Sequence, residues 1–472
     1  MKTTKRTKIN RIVSLMTIIA LFACTAAGCK SSKNATKNDK GQTVISVGLW
    51  PSDEGTDLDN MNARKARFEE ANPDVLIKGD NWKFDLKSFY AKAAGGQLPT
   101  LYNSNYTEVS QIIAAGYGAD LTDVLSKRGY DGRFNKNVLD TVSLDGRIYA
   151  FPTGAYVLGL SYNTELFEKA GLMEPDGTPK QPKTWDELVE FAVKIKESTG
   201  IPGFVMPTST NYGGWLFTPI AWSFGVEFMK KDGDKWKATF NTPEAAAALQ
   251  YVKDLKWKYD VLPSNILIDE VEYYKLFATG KAGMVISAGD IPTYVTSYGM
   301  TPDQLGIMAL PAGPKEYVTL LGGYVANVKG GSTQEQIDAA IRWLERTKNF
   351  EATDEFVKNK KEELDKAKER GQLIGIKSMK VWEQDTESVK VEHQMIDEYA
   401  NSNPNHVKLY NEFVANCPAK IKPEEPVCAQ ELYAVLDNCI QEVLINKDAD
   451  CSAILEKANS DFQHNYLDNV DY

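Results

Sequence analysis

The chain has 472 residues, 43% of them hydrophobic and 25% charged, with a formal net charge of −10. That length exceeds one ordinary domain and predicts two. The acidic balance argues against nucleic acid as a partner, and three histidines leave little material for a catalytic triad or an imidazole metal site.

The chain opens with MKTTKRTKINR, which is basic and holds no acid. IVSLMTIIALFA (12–23) is an apolar run, and CTAAGC (24–29) a small-residue stretch ending in cysteine. This reads as an export signal, because the run falls short of the about 20 apolar residues of a membrane span; an uncleaved anchor is the alternative. Ala26-Ala27-Gly28-Cys29 resembles a bacterial lipobox, which makes residues 1–28 a lipoprotein signal peptide and Cys29 the lipidated residue, with Cys24 as competitor. Cleavage there removes Lys2, Lys5, Arg6, Lys8 and Arg11, so −10 becomes about −15. Residues 30–42 carry no bulky apolar side chain, and 29–42 is expected to be a flexible tether. The cysteines beyond it, Cys417, Cys428, Cys439 and Cys451, would stand outside the cytoplasm, where three complete disulfide pairings, or four free thiols, are open.

TVISVGLW (43–50) predicts a strand, 57–71 a helix closed by Asn72-Pro73, and VLIKG a second strand. Helices follow near 85–94 and 107–115. Strands alternating with helices imply βαβ units and a largely parallel sheet. DGRIYAFPTGAYVLGLSYN (145–163) predicts a strand, a loop and another strand. Thr184 is placed as the N-cap of a helix with Glu187 at the capping-box position. Thr242-Pro243 opens another helix. KKDGDKW (230–236) predicts a polar turn between strands and lacks the ligands of a calcium loop. GMVISAG (283–289) and LGGYVANV (321–328) read as strands, 350–372 as a charged amphipathic helix, and the last 100 residues as helices with Trp382, Tyr399, Tyr410 and Phe413 on apolar faces. No P-loop, dinucleotide, zincin or nucleophile-elbow motif occurs, so neither metal nor cofactor is implied. Carboxylate pairs abound, and inventory alone does not exclude a glycosidase.

Six passages in order carry a resemblance: FEEANPDV (68–75), AAGGQLPTLYNSNYTEVSQIIAAGYGADLTDVL (93–125), DGRIYAFPTGAYVLGLSYNTELFEKAGL (145–172), PKTWDELVEFAVKIK (182–196), FATGKAGMVISAG (277–289) and LGGYVANVKGGSTQEQIDAAIRWLE (321–345). The chain resembles the extracellular solute-binding proteins of carbohydrate ABC importers, the family that includes maltose-binding proteins. The resemblance implies an α/β, two-lobed, periplasmic-binding-protein-like (type II) fold. Its ligand cleft lies between lobes that are joined by three hinge crossings. Carried over, the N-terminal lobe is 43–154 plus 324–377 and the C-terminal lobe 155–323 plus 378–472. The crossings fall near Thr153 to Val157, near Gly322 to Ala326, and between Ile374 and Trp382. It further implies a non-enzymatic, monomeric receptor on the outer face of a bacterial membrane, delivering a carbohydrate to ABC permease subunits.

A sugar offers hydroxyls at its edge and apolar patches on its ring faces, so aromatic plates with a few polar groups are required. In STNYGGWLFTPIAWSFG (209–225) the resemblance puts an aromatic stacker at the start of a helix. Tyr212 and Trp215 are therefore assigned to ligand, Asn211 to a hydroxyl, and Trp222 and Phe224 to core. The other expected contacts are Trp50 and Asp53 after the first strand, Asn103, Asn105 and Tyr106 from the first lobe, Tyr156 and Tyr324 at crossings, Asp290 after GMVISAG, and Trp382. For Asn105, helix capping is the competing role. Relatives carry a tryptophan just after Asp290; Ile291 stands here and implies a differently shaped or more polar subsite. Rival readings are a polyamine, anion or peptide receptor of the same fold, a surface glycoside-processing enzyme, and a purely structural lipoprotein. A polyamine site would show acids among the aromatics, and Asp53 and Asp290 keep that reading open.

Overall fold

The computed structural model describes residues 36–470. The predicted signal peptide and Cys29 lie outside them. Residues 36–42, expected in the tether, form a turn leading into the fold: the Gly41 amide donates to the Asn38 carbonyl (2.9 Å), and Lys37 bridges Thr43.

Eight strands build the main sheet: β1 (Thr43–Val47), β2 (Val75–Gly79), β3 (Leu101–Asn105), β4 (Phe151–Asn163), β5 (Met284–Ala288), β6 (Leu305–Ala309), β7 (Val318–Val328) and β8 (Lys420–Pro423). The order is β6-β4-β7-β3-β1-β2, with β5 also on β4 and β8 also on β7. β1 runs parallel to β2 and β3, as βαβ units demand, and β7 to β8, but the sheet is mixed rather than largely parallel, because every pairing of β4 is antiparallel. β4 and β7 run antiparallel to each other, and β7 antiparallel to β3.

The two lobes follow from the length of β4 and β7. The start of β4 pairs with β7, and its end with β5 and β6. The end of β7 pairs with β3, and its start with β8. Each strand thus leaves one lobe and enters the other without a break. The strand, loop and strand expected within 145–163 are present, but the break is only the two residues 149–150: a short hairpin (143–144 with 147–148) precedes one continuous strand of 13 residues. The ladder absorbs Pro152 and Gly154 inside that strand as a register shift opposite Tyr324/Val325.

Gly322 and Gly323, expected to absorb rotation, also have a packing cause. A Cβ on Gly322 would meet the Tyr156 ring at 2.4 Å, and one on Gly323 would meet the Gly154 carbonyl at 2.1 Å and the Tyr106 ring at 2.4 Å. Trp382 lies against the first lobe, stacked on Phe134 (centroids 4.8 Å) with Tyr130 and Phe151 around it. The helix Asn405–Asn416 packs along β6 in the second lobe.

The predicted caps form. Thr184 Oγ1 accepts the Glu187 amide (3.2 Å), while the Glu187 carboxylate accepts from Lys183 rather than from the cap residue itself (2.7 Å). Thr242 caps Pro243–Trp257 in the same way. The polar turn at 230–236 joins the two-stranded ribbon Met229–Asp232 and Lys235–Ala238. Cys417, Cys428, Cys439 and Cys451 are free thiols.

Candidate functional site

A cavity of about 240 Å³ opens between the lobes where β4 and β7 cross. Its second-lobe wall is the start of the helix Tyr212–Ser223. Thr210 and Asn211, just before it, both have left-handed backbones (φ 59° and 68°), a strained conformation for Thr in particular. Asp437, on the helix Ala429–Ile445, stabilises this turn. Its carboxylate accepts the amides of Asn211 and Gly214, both at 2.7 Å, and so satisfies donors a helix start leaves unpaired. The Gly-Gly pair is needed for that approach: a Cβ on Gly214 would lie 2.1 Å from the Tyr433 carbonyl oxygen, and one on Gly213 2.6 Å from the Asp437 carboxylate. Farther along, Pro219 cannot donate to the Trp215 carbonyl; the Thr218 hydroxyl donates there instead (2.8 Å).

This anchoring fixes an aromatic lining. Trp215 meets Tyr156 edge-on (6.4 Å) and Tyr212 at a tilt (5.2 Å). Tyr212 shares a 2.6 Å hydroxyl hydrogen bond with Tyr274, which stacks on Tyr294 (4.6 Å, 15°). Across the cavity Tyr324 is paired in register with Asn105 and with Gly154. Its ring is 50% exposed, a free aromatic face at the junction of the lobes.

Polar groups interrupt the rings. Asn105 and Thr107 come from the first lobe. Asn211 donates to Gln430 (3.3 Å), and the Glu424 carboxylate accepts from the Tyr433 hydroxyl (3.0 Å). Asp290 follows β5, and Glu270 begins the helix Glu270–Ala278. Burial, with the charge of Glu108 adding to it, pushes Glu424 up to about 7 against the hydrogen bonds from Tyr433 and Trp215. Burial raises Asp290, and burial together with the charge of Asp290 raises Glu270. Among the described residues, no lysine, arginine or histidine lines the cavity.

Seven of the expected residues line it together: Asn105, Tyr156, Asn211, Tyr212, Trp215, Asp290 and Tyr324. Five lie elsewhere. Trp50 stacks on Trp343 (6.1 Å) over Gly79, where a Cβ would meet its ring at 2.4 Å. Asp53 is an exposed loop acid beside Ser52. Asn103 is half-buried in β3 opposite Ala326. Tyr106 is buried, its hydroxyl donating to the Gly154 carbonyl (2.9 Å), so it braces the crossing from beneath. Trp382 is buried in its aromatic cluster. Trp222 is core as expected, with its indole N–H donating to Glu425 (2.9 Å). Ile291 is fully buried, and the aromatic presented to the cavity is Tyr294, three residues on. Sequence reasoning missed Glu270, Tyr274, Tyr294, Glu424, Gln430 and Tyr433. The signal for Tyr294 was present in DIPTY; that for Glu424 and Tyr433 lay in a C-terminal region whose periodicity reports only helices.

Residues 52–349 match the family model of bacterial extracellular solute-binding proteins. The chain belongs to that family. It is similar to an uncharacterized ABC transporter extracellular-binding protein of Pyrococcus horikoshii, 28% identical over 333 residues (65% of this chain, 72% of the relative). It is also similar to the diacetylchitobiose binding protein DasA of Streptomyces coelicolor, 25% identical over 329 residues (68% and 73%). Among solved structures, maltose-bound MalE3 of T. maritima superposes with a TM-score of 0.62 at 22% identity, covering 89% of this chain and 99% of that one. Family and fold are those of transport solute-binding proteins of the two-lobed periplasmic type. No helix among the described residues is long and apolar enough to cross a membrane.

Proposed function

We propose that this solute-binding protein captures a carbohydrate, an oligosaccharide, in the cleft between its lobes and delivers it to permease subunits, tethered meanwhile by a lipid on Cys29. The observation that carries the reading is the lining itself: flat faces of Trp215, Tyr156, Tyr294 and Tyr324, interleaved with Asn105, Glu270, Asp290 and Glu424. Rings match the C–H patches of a pyranose, and carboxylates and amides match its hydroxyls. Relatives named for diacetylchitobiose and maltose point the same way. An anionic solute is disfavoured, because three carboxylates would face it with no cation among the described lining residues to pair it. A ligand touching Tyr324 and Asn105 on one side and Trp215 and Tyr294 on the other binds the closed arrangement better than the open one, and so shifts the population toward closure.

An oligosaccharide array read by thermal shift and calorimetry tests this. Saturable binding is expected, with a decrease in radius of gyration on X-ray scattering. Absence of any saccharide binding refutes the substrate class, and cleavage of a bound oligosaccharide refutes the receptor role in favour of an enzyme. For the anchor, Cys29→Ser is expected to release the protein from cells into the medium; retention on the membrane would refute lipidation at Cys29.

A further inference from the structure

Glu270, Asp290 and Glu424 all line the cavity, and the lysines nearest in sequence to Glu270 and Glu424 are engaged elsewhere: Lys275 with Glu272 (3.4 Å) and Lys422 with Glu425 (3.7 Å). The three charges converge on one ring. Burial first, and then the charges of Asp290, Glu270 and Glu424, raise the Tyr324 phenol above its ordinary value. Asp290 keeps solvent-exposed surface at the cavity, although the protein packed around it already raises its carboxyl. Closure of the lobes would strip water from Asp290 and Glu270 beside the already buried Glu424, with no lysine, arginine or histidine among the described lining residues, which is costly. Sugar hydroxyls return donors to them but no charge. The surrounding rings add a second preference of the same sign, since aromatic faces attract cations. Tyr294 stacked on Tyr274, Trp215 edge-on to Tyr156, and the exposed face of Tyr324 surround the acids.

Resting on the carbohydrate reading above, we infer that the sugar carried by this cleft bears a free, protonated amino group, seated among Glu270, Asp290 and the faces of Tyr294 and Tyr324. The ammonium donates charge-assisted hydrogen bonds to the carboxylates, and its charge offsets theirs when water leaves. A polyamine shares this chemistry without the sugar rings, and serves as the competing ligand in the test.

The test is calorimetric titration of the mature protein with matched oligosaccharides of gluco, galacto and manno configuration. Each is offered with hydroxyl, free amino or N-acetylamino at the same ring position, and spermidine is run alongside. The expected result is that one amino member binds roughly tenfold or more tighter than its hydroxyl and N-acetyl counterparts, with a preference that shrinks as salt is added. Glu270→Gln and Asp290→Asn should each reduce that preference while changing the affinity of the hydroxyl counterpart less. Equal or tighter binding of the neutral members overturns the inference and leaves the carbohydrate reading intact. An amino preference untouched by both substitutions and by salt also overturns it. Binding of spermidine with no saccharide bound, or binding of none of the probes, overturns both.

Discussion

Removing the Asp437 carboxylate should loosen the second-lobe wall of the cleft and the lobe's fold together. Asp437 is 5% exposed, and its two oxygens take the amides of Asn211 and Gly214 at 2.7 Å each. Asp437→Ala deletes both charge-assisted bonds, worth about 1.5–3 kcal/mol each in similar settings, and leaves helix-start amides unpaired beside two left-handed residues. Burial raises the Asp437 carboxyl above its ordinary value, so part of that loss is returned when the desolvated charge disappears. The net expectation is roughly 2–3 kcal/mol, or a Tm drop of roughly 5–10 °C for a lobe of about 260 residues. Asp437→Asn keeps one acceptor but turns an N–H donor toward an amide, and should fall between. The assay is calorimetric unfolding without ligand, followed by sugar titration in which both variants lose affinity through displaced Asn211, Tyr212 and Trp215. A Tm within about 1 °C of wild type, with unchanged affinity, would refute the view that this carboxylate organises the cleft.

Trp215→Ala should weaken binding of any saccharide by roughly tenfold or more, while Trp222→Phe, in the core, should leave affinity unchanged and lower stability; equal effects on affinity would contradict the division between them. Gly214→Ala should destabilise by about 2 kcal/mol or more, because the 2.1 Å contact of its Cβ is with backbone that cannot move aside; calorimetry reads it directly. Glu108 and Glu424 are both pushed up to about 7 by burial, from an ordinary value of 4.5. The folded state therefore binds protons that the unfolded chain has already released. The stability these groups contribute is full below about 4.5 and is lost as pH rises through about 7, by up to about 3 kcal/mol each. Glu424→Gln should accordingly flatten the fall in Tm across that window, and an unchanged pH profile would show that Glu424 ionises normally.

The parts of the fold that were legible in sequence are those where a local pattern has one physical solution. Thr184 and Thr242 cap helices because their hydroxyls have an amide to accept three residues on. β1, β2 and β5 bury β-branched residues in short runs bounded by turn residues. The full extent of β4 was not legible: Pro152 and Gly154 are loop signals, and only the partner strand β7, with its register shift and paired glycines, accommodates them. In the cleft, Trp215 and Tyr212 are assigned because the family resemblance puts an aromatic stacker at the start of this helix. Trp50 and Trp382 were equally conspicuous, yet Trp343 and Phe134 offer them rings to stack on, and no local pattern reveals a partner some 250–300 residues away.

The acids tell the same story with chemical consequences. Asp290 could be named because it ends a strand at the lobe junction. Glu270 is one of two acids in the first turn of its helix, where carboxylates favour the positive end of the helix dipole and need no other purpose. Glu424 stands beside Glu425, which accepts from the Trp222 indole in the core while Glu424 faces the cleft. Adjacent glutamates thus have opposite roles, and alternation along the extended segment at β8 is what separates them. A charge count of the whole chain gives an acidic protein. Only the fold shows that three of those carboxyl groups, from three distant segments, share one cavity with no cation among the described lining residues, and that arrangement is what makes the charge of the solute a question the cleft can answer.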